Sequence, residues 1–311
     1  MELALEGNAD RLAGVDEPRY VSVVIPTHNR PQLLATAVAS VLSQDIPVEV
    51  IVVDDASQPP VAGLPIMAHP HITLIRNEKT QGPTRARNQG LEAATGAFVA
   101  FLDDDDEWLP GKLRRCIDIL NTVAGVDVVT HRTVYDRDGM SELSDVTVLT
   151  NPLASFGVQQ TPHLDGLMVD TALAKAVRFD ESFDAAQDID FVIELARRSP
   201  FAMVEDTLAV RGPQSDGSAI GLERRISARV LLLDKHGDVL YHDGPSRAFF
   251  HVRLGHLYRR SGRRMLALRS FATALRHQPG AAKAWRGLAL SMLPAGVVHR
   301  LSVDRRRRAQ R

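Results

Sequence analysis

The sequence predicts an α/β fold: a doubly wound, mainly parallel sheet followed by a small all-helical C-terminal module. Three observations predict it. Short β-branched apolar runs alternate with amphipathic stretches from residue 20 to residue 133, mostly across short connections, as parallel strands with crossover helices do. One of those runs, Ala97-Phe98-Val99-Ala100-Phe101-Leu102, is apolar throughout, like a strand buried on both faces, and it ends in Asp103-Asp104-Asp105-Asp106. From Phe249 to about Leu293 the spacing is helical.

Each element has its own local reason. Residues 1–18 read as a flexible leader ending at Pro18. Tyr20 to Pro26 is β-branched and stopped by proline, hence a first strand. Pro31 to Ser43 puts Leu33, Leu34, Ala37, Val38, Val41 and Leu42 on one helical face, with proline in the first turn. Val48 to Val53 is a second buried strand, closed by Asp54-Asp55-Ala56-Ser57, and Ile72 to Ile75 is a third. Gly82-Pro83 opens a helix from Thr84 to about Thr95, and the strand bearing the acidic run follows. Pro110 starts a helix to about Val123, and Val126 to Thr133 is a further strand. Between Asp136 and Gln187 the pattern weakens to loops, with one short helix near Thr171 to Ala176. Asp188 to Arg198 is an amphipathic helix, and the polar loop Arg211 to Ser218 is the candidate lid. The predicted organisation is a leader over 1–18, an α/β domain over 19–215, a lid or linker over 216–245, a helical module over 246–295 and a basic tail over 296–311.

In the helical module, Leu254-Gly255, Tyr258, Gly262, Ala267, Phe271, Ala274 and Pro279 match the tetratricopeptide spacing. A step of about 34 residues carries His251 onto Trp285 and Leu254 onto Leu288.

Bulk properties exclude several classes. No run reaches the roughly 18–20 apolar residues of a membrane span. Met1 to Asp16 is acidic and has no apolar core, so no signal peptide is expected. A single cysteine, Cys116, forms no internal disulfide framework, fits a reducing cytosol and is expected to be an inert core thiol. The net charge of −1 hides an asymmetry. Ser246 to Arg311 holds sixteen Lys/Arg against one acid, Asp304, a balance of +15, so residues 1–245 carry −16.

The acidic run sits at the carboxyl end of a core strand, where open α/β sheets bind ligands. Adjacent like charges there are costly unless a cation offsets them. Hard oxygen ligands suit Mg²⁺ or Mn²⁺, and such an ion usually completes its shell with substrate phosphates. Arg85 and Arg87 near a helix start suit an anion, Arg87 the more so.

Four segments in order, Val23-Val24-Ile25-Pro26-Thr27-His28-Asn29-Arg30, Val52-Val53-Asp54-Asp55-Ala56-Ser57, Ala86-Arg87-Asn88-Gln89-Gly90 and Phe101 to Trp108, resemble the nucleotide-sugar glycosyltransferases of family 2. A fifth, Gln187-Asp188-Ile189-Asp190-Phe191, looks like that family's later acidic motif, with Gln187 where Glu is usual. The resemblance covers about the first 215 residues. It implies a Rossmann-like, A-type catalytic domain and an inverting transfer of a sugar from a nucleoside diphosphate, most often UDP, to an acceptor hydroxyl. It also implies roles. Asp105 is the direct metal ligand, with Asp103 or Asp104 on metal-bound water or the ribose. Pro26, Thr27, Asp54 and Asp55 form the nucleotide pocket, Asp55 accepting from the base, and Arg87 contacts the diphosphate. Asp188 is the general base, with Asp190 next in line. His163 and Asp165 are candidates for the acceptor site or the metal shell, and Arg211 for reaching the diphosphate from the lid. Asp106 is read as helping to cap the Pro110 helix, outside the site.

Two other classes compete with this reading. In one, a non-catalytic sugar-nucleotide binder carries a helical protein-interaction module. In the other, a nucleotidyltransferase would need a glycine-rich loop where Pro26-Thr27-His28-Asn29-Arg30 stands. The expected location is cytoplasmic, peripheral at the inner face of the membrane. The basic module is expected to serve a homodimer or an anionic partner, not nucleic acid.

Overall fold

The computed structural model describes residues 21–134, 144–155, 162–212, 221–241 and 243–293. The leader over 1–18 and the tail over 296–311 lie outside the described residues. Contacts divide the chain into two compact units, 1–153 with 161–219, and 154–160 with 220–311.

The first unit is built on a nine-stranded sheet. In chain order its elements are β1 (Val21–Thr27), α1 (Pro31–Leu42), β2 (Val48–Asp54), β3 (Ile72–Arg76), α2 (Pro83–Ala93), β4 (Phe98–Phe101), β5 (Glu107–Trp108), α3 (Lys112–Thr122), β6 (Val128–Val134), β7 (Thr147–Leu149), β8 (Leu167–Asp170), α4 (Thr171–Val177), α5 (Gln187–Ala196) and β9 (Phe201–Val210). The strands lie in the order β3-β2-β1-β4-β8-β6-β9-β5, with β7 beside β9. β1 pairs in parallel with β2 and with β4, and β2 in parallel with β3. The predicted parallel pattern thus describes the N-terminal half. Beyond β4 the sheet is mixed: β8 runs antiparallel to β4 and β6, β6 and β9 are parallel, and β5 and β7 oppose β9. β8 offers only Leu-Met-Val-Asp to a search for periodicity, too short to mark a strand.

β1 lies between β2 and β4 although the chain visits β2 and β3 first. Such a reversal of strand order opens a crevice at the strands' carboxyl ends. Val21, Val23 and Ile25 of β1 share a core with Leu34, Ala37, Val38 and Val41 of α1 and with Leu113, Cys116, Ile119 and Leu120 of α3. Cys116 is fully buried, as expected of an inert thiol. On α2, a Cβ at Gly90 would stand 2.3 Å from the Val24 side chain. Glycine there lets α2 lie close on β1.

The second unit corrects the expected lid or linker over 216–245. That stretch holds α6 (Leu222–Leu240), which buries Ile226, Ala228, Leu232, His236, Val239 and Leu240. Charged residues from Glu223 to Arg225, the Asp234-Lys235 pair and Gly237 obscure its apolar spacing, and the helix kinks at His236 (φ −122°). Three helices follow: α7 (Gly244–Arg260), α8 (Arg264–His277) and α9 (Ala282–Met292). Ala248, Val252, Ala267, Phe271, Ala274 and Ala284 form their core. Phe271 is fully buried, and a Cβ would stand 2.8 Å from its ring at Gly255 and 2.3 Å at Gly287.

Candidate active site

The acidic run folds back as a turn at the end of β4. Leu102 N–H donates to Val24 O (3.1 Å), and Asp106 N–H to Asp103 O (3.1 Å). The turn therefore stands beside the end of β1, and Thr27 Oγ1 donates to Asp104 Oδ2 at 2.7 Å. Asn29 takes a left-handed conformation (φ 57°) after β1, accepting from Gln58 N–H (2.7 Å) and donating its own N–H to Ser57 Oγ (2.9 Å). That turn delivers Arg30, whose Nη1 lies 3.0 Å from Asp104 Oδ1 and 3.3 Å from Asp105 Oδ2. The Asp105 contact is within ion-pair distance but lacks hydrogen-bond alignment, since Asp105 Oδ2 has no hydrogen-bond partner. Arg87 of α2 reaches Asp103 at 2.5 Å.

Asp103, Asp105 and Asp106 each offer a carboxylate oxygen, all within 4.8 Å of one another. Asp105 Oδ2 and Asp106 Oδ2 are buried without a hydrogen-bond partner. Unsatisfied buried acceptors of this kind fit a hard divalent cation. Burial raises the Asp104 carboxyl pKa against hydrogen bonds from Thr27 and Arg30. Burial and then Asp103 raise Asp105, with Arg30 opposing. Asp106 is pushed up to about 8 by burial, Asp165 and Asp103.

Asp106 therefore joins the cluster and is not a helix cap; the residue before α3 is Gly111, with no side-chain cap. Its Oδ1 accepts from Gly212 N–H at 2.8 Å, and its Oδ2 lies 3.8 Å from Arg211 Nε. Arg211 Nη1 is 3.5 Å from His163 Nδ1. Asp165 is buried, its carboxyl raised by that burial, with His163 and Arg211 opposing. The three residues expected at an acceptor or lid position thus gather around Asp106. Lys112 is also fully buried, 3.6 Å above the Trp108 ring, and burial lowers its ammonium to about 8.

The two acids after β2 part company. Asp54 is fully buried and accepts from Ser57 N–H (2.8 Å) and Val61 N–H (3.3 Å), with Arg76 also bonded to it. These bonds outweigh burial and lower its pKa. Asp54 is thus held as an anchor of the turn after β2. Asp55 accepts from Asn77 Nδ2 (2.9 Å), Gln81 N–H (2.8 Å) and Gly82 N–H (2.8 Å), which holds the approach to α2. Pro26 is half-buried in β1, paired with Val53.

Asp188 lies half-buried in the first turn of α5, after Ala186 in a left-handed conformation (φ 62°), while Asp190 is buried. The start of α5 is tied to the same sheet edge. Thr84 Oγ1 donates to Phe183 O (3.0 Å), and Asn88 bonds Phe179 through both its amide groups (2.9 Å each). Phe191 packs edge-on against Phe101, the last residue of β4, with ring centroids 5.7 Å apart. Asp188 stands one helical turn from Phe191 on the same face.

Sequence reasoning missed Arg30 and Asp106. Arg30 directly follows the first quoted segment's His28-Asn29 and could have been found as a cation placed to offset four carboxylates.

Residues 22–167 match the model of glycosyl transferase family 2. The succinoglycan biosynthesis protein ExoW of Rhizobium meliloti (strain 1021) is 30% identical over 219 residues, 62% of this chain and 68% of that one. The chain belongs to glycosyl transferase family 2. It spans 55% and 65% of the length of two other curated relatives that it matches. Among solved structures, S. aureus TarS 1–349 in complex with UDP superposes with a TM-score of 0.59 at 18% identity, over 87% of this chain and 89% of that one. The mannosyltransferase PcManGT from Pyrobaculum calidifontis, in complex with GDP-Man and Mn²⁺, gives 0.58 at 21%, over 89% and 82%. Both likenesses show the A-type fold.

Proposed function

We propose that this chain is a metal-dependent, inverting glycosyltransferase that moves a sugar from a nucleoside-diphosphate sugar, a UDP-sugar first, to an acceptor hydroxyl in polysaccharide or glycoconjugate synthesis. The observation that carries this reading is the carboxylate trio of Asp103, Asp105 and Asp106, with two buried oxygens that accept no hydrogen bond, at the crevice between β1 and β4. A TarS structure holding UDP and a PcManGT structure holding GDP-Man and Mn²⁺ support it by fold.

In this reading Asp105, with Asp103 and Asp106, holds Mg²⁺ or Mn²⁺, which when bound stabilises the departing diphosphate. Thr27 and Asp55 line the nucleotide side. Asp55 has spent hydrogen-bonding capacity on Gln81 and Gly82, so it meets the base through its remaining lone pairs. Asp104, fixed by Thr27 and Arg30, sits toward the ribose. Arg87, an anion-binding cation, leaves Asp103 or bridges it to the diphosphate. Asp188 takes the acceptor proton; its half-buried position favours it over the buried Asp190. His163, Asp165 and Arg211 shape the acceptor and lid side. The helical module is read as tetratricopeptide-like, supported by the Gly255–Phe271 contact. The protein acts in the cytoplasm, at the inner face of the membrane; no helix among the described residues is long and apolar enough to cross one.

The test is thermal stabilisation by UDP with and without Mn²⁺, followed by donor turnover. UDP should raise the melting point only with the ion present, and Asp105→Ala should abolish both the shift and turnover while the fold persists. Full turnover by that variant in EDTA defeats the reading.

A further inference from the structure

We infer that the α7–α9 module is a docking surface for an anionic lipid bilayer, with Trp285 and Met292 of α9 as its inserting residues. The inference deepens the peripheral-membrane part of the reading above and does not depend on catalysis.

The first observation is an apolar stripe facing water. Ala284, Gly287 and Ser291 turn one side of α9 into the module core. Trp285, Ala289 and Met292, spaced i, i+4 and i+7, share the opposite side and are exposed. Trp285 is 56% exposed and Met292 57%. The indole N–H of Trp285 is already satisfied by Pro279 O (2.9 Å), so its open surface is apolar ring. Arg264, at the start of α8, bonds Met292 O, which brings the exposed Met265 and Leu266 to the end of α9 that carries Met292 and Leu293. Met265 is 65% exposed.

The second observation is charge. From Gly244 to Leu293 there are ten Lys/Arg and no Asp or Glu. Nine of the ten, Arg259 excepted, are exposed. Arg286 borders the stripe on α9 with Lys283 exposed one turn before it, and Arg263, Arg264 and Arg269 border Met265 on α8. Exposed Trp, Met and Leu ringed by cations match what an anionic membrane surface takes: basic groups at the headgroups, apolar groups at the acyl boundary. A soluble polyanion would satisfy the arginines but leave Met265, Met292 and Trp285 in water. A second copy of this surface would bring exposed cations of like sign together with no acid to offset them, which repulsion opposes.

The chain carries its own reporter. Of its two tryptophans, Trp108 is 3% exposed and Trp285 56%. Vesicles of phosphatidylglycerol mixed with phosphatidylcholine should blue-shift the full chain's emission, and brominated acyl chains should quench it. Pure phosphatidylcholine should do neither, and salt of about 1 M, where the Debye length is about 3 Å, should weaken binding. Trp285→Ser with Met292→Ser should lower vesicle affinity at least about tenfold through the apolar area removed. Reversing Lys283, Arg286 and Arg269 to Glu should do the same with Trp285 intact. Both variants should keep the Mn²⁺-dependent UDP shift. Loss of that shift with vesicle binding retained counts against the catalytic reading alone. No sedimentation or blue shift with anionic vesicles at low salt overturns the inference. So does binding that the Trp285/Met292 variant retains in full, a shift that grows with protein concentration without lipid, or tight binding to a DNA duplex with none to vesicles.

Discussion

Arg30 at 3.0 Å from Asp104 and 3.3 Å from Asp105 gives the acidic turn a counter-cation of its own. Even so, burial leaves Asp106 holding a proton up to a pH of about 8, against 3.8 for a free side chain. The native protein thus binds a proton there that the unfolded chain has lost. Stability of the metal-free protein should therefore fall as pH rises from about 4 to about 8, while Asp54 and Asp206, whose pKa values are lowered, act oppositely below that window. Urea titrations in EDTA at several pH values read this directly, and a midpoint that climbs through neutral pH would show Asp106 ionising normally. Mn²⁺ should release protons on binding in the same range, seen by calorimetry in buffers of different ionisation enthalpy. Asp188 makes a separate case. Asp188→Asn should lower kcat about 10²-fold or more with UDP affinity nearly unchanged. A collapse of UDP affinity with kcat intact would make Asp188 a binding residue. At this scale the sequence showed the acids but not their division of labour. Asp54 and Asp55 both read as pocket residues, Asp55 on the base, and the structure adds that Ser57, Val61 and Arg76 hold the first. Asp106 read as a cap because its partner Gly212 is 106 positions away.

The chain just past β9 closes over the acidic turn through Arg211 and Gly212. Gly212 comes so close to the turn that a Cβ there would stand 1.8 Å from Asp105 O. Gly212→Ala must push the turn aside. A cost of about 1–3 kcal/mol in stability is expected, together with weaker Mn²⁺ binding by electron paramagnetic resonance. Unaltered Mn²⁺ affinity in a folded Gly212→Ala protein would show that the turn tolerates the displacement. β1, β2 and β4 were legible because strands buried on both faces leave near-continuous apolar runs, broken only at Ser22 and Glu49. β8 was not, since four residues carry no period, and its antiparallel course depends on partners far along the chain. α6 escaped notice because its charged residues and Gly237 interrupt the spacing that Ile226, Leu232 and Val239 follow.

For the whole molecule, the charge split near Ser246 was visible in the sequence, but the boundary between compact units falls earlier, near Ile220. α6 packs with α7 in the second unit. A chain stopped after Asp243 would keep α6, with its buried Ile226, Leu232, Val239 and Leu240, but without α7. It should aggregate more than a chain stopped after Ala219, as size-exclusion chromatography at matched concentration would show. Equal behaviour of the two would place the boundary near Ser246 after all.

Phe271 fills two notches at once, one left by Gly255 and one by Gly287. The three positions therefore cannot vary independently. Gly255→Ala or Gly287→Ala alone drives a methyl group into the ring, and Phe271→Leu alone leaves a void beside both glycines. The combined replacement exchanges one filling for another, so its cost falls below the sum of the single costs. Mutational order then matters: the aromatic ring must shrink before either glycine can grow, which makes this corner of the module accessible by one sequence of steps and closed to the reverse.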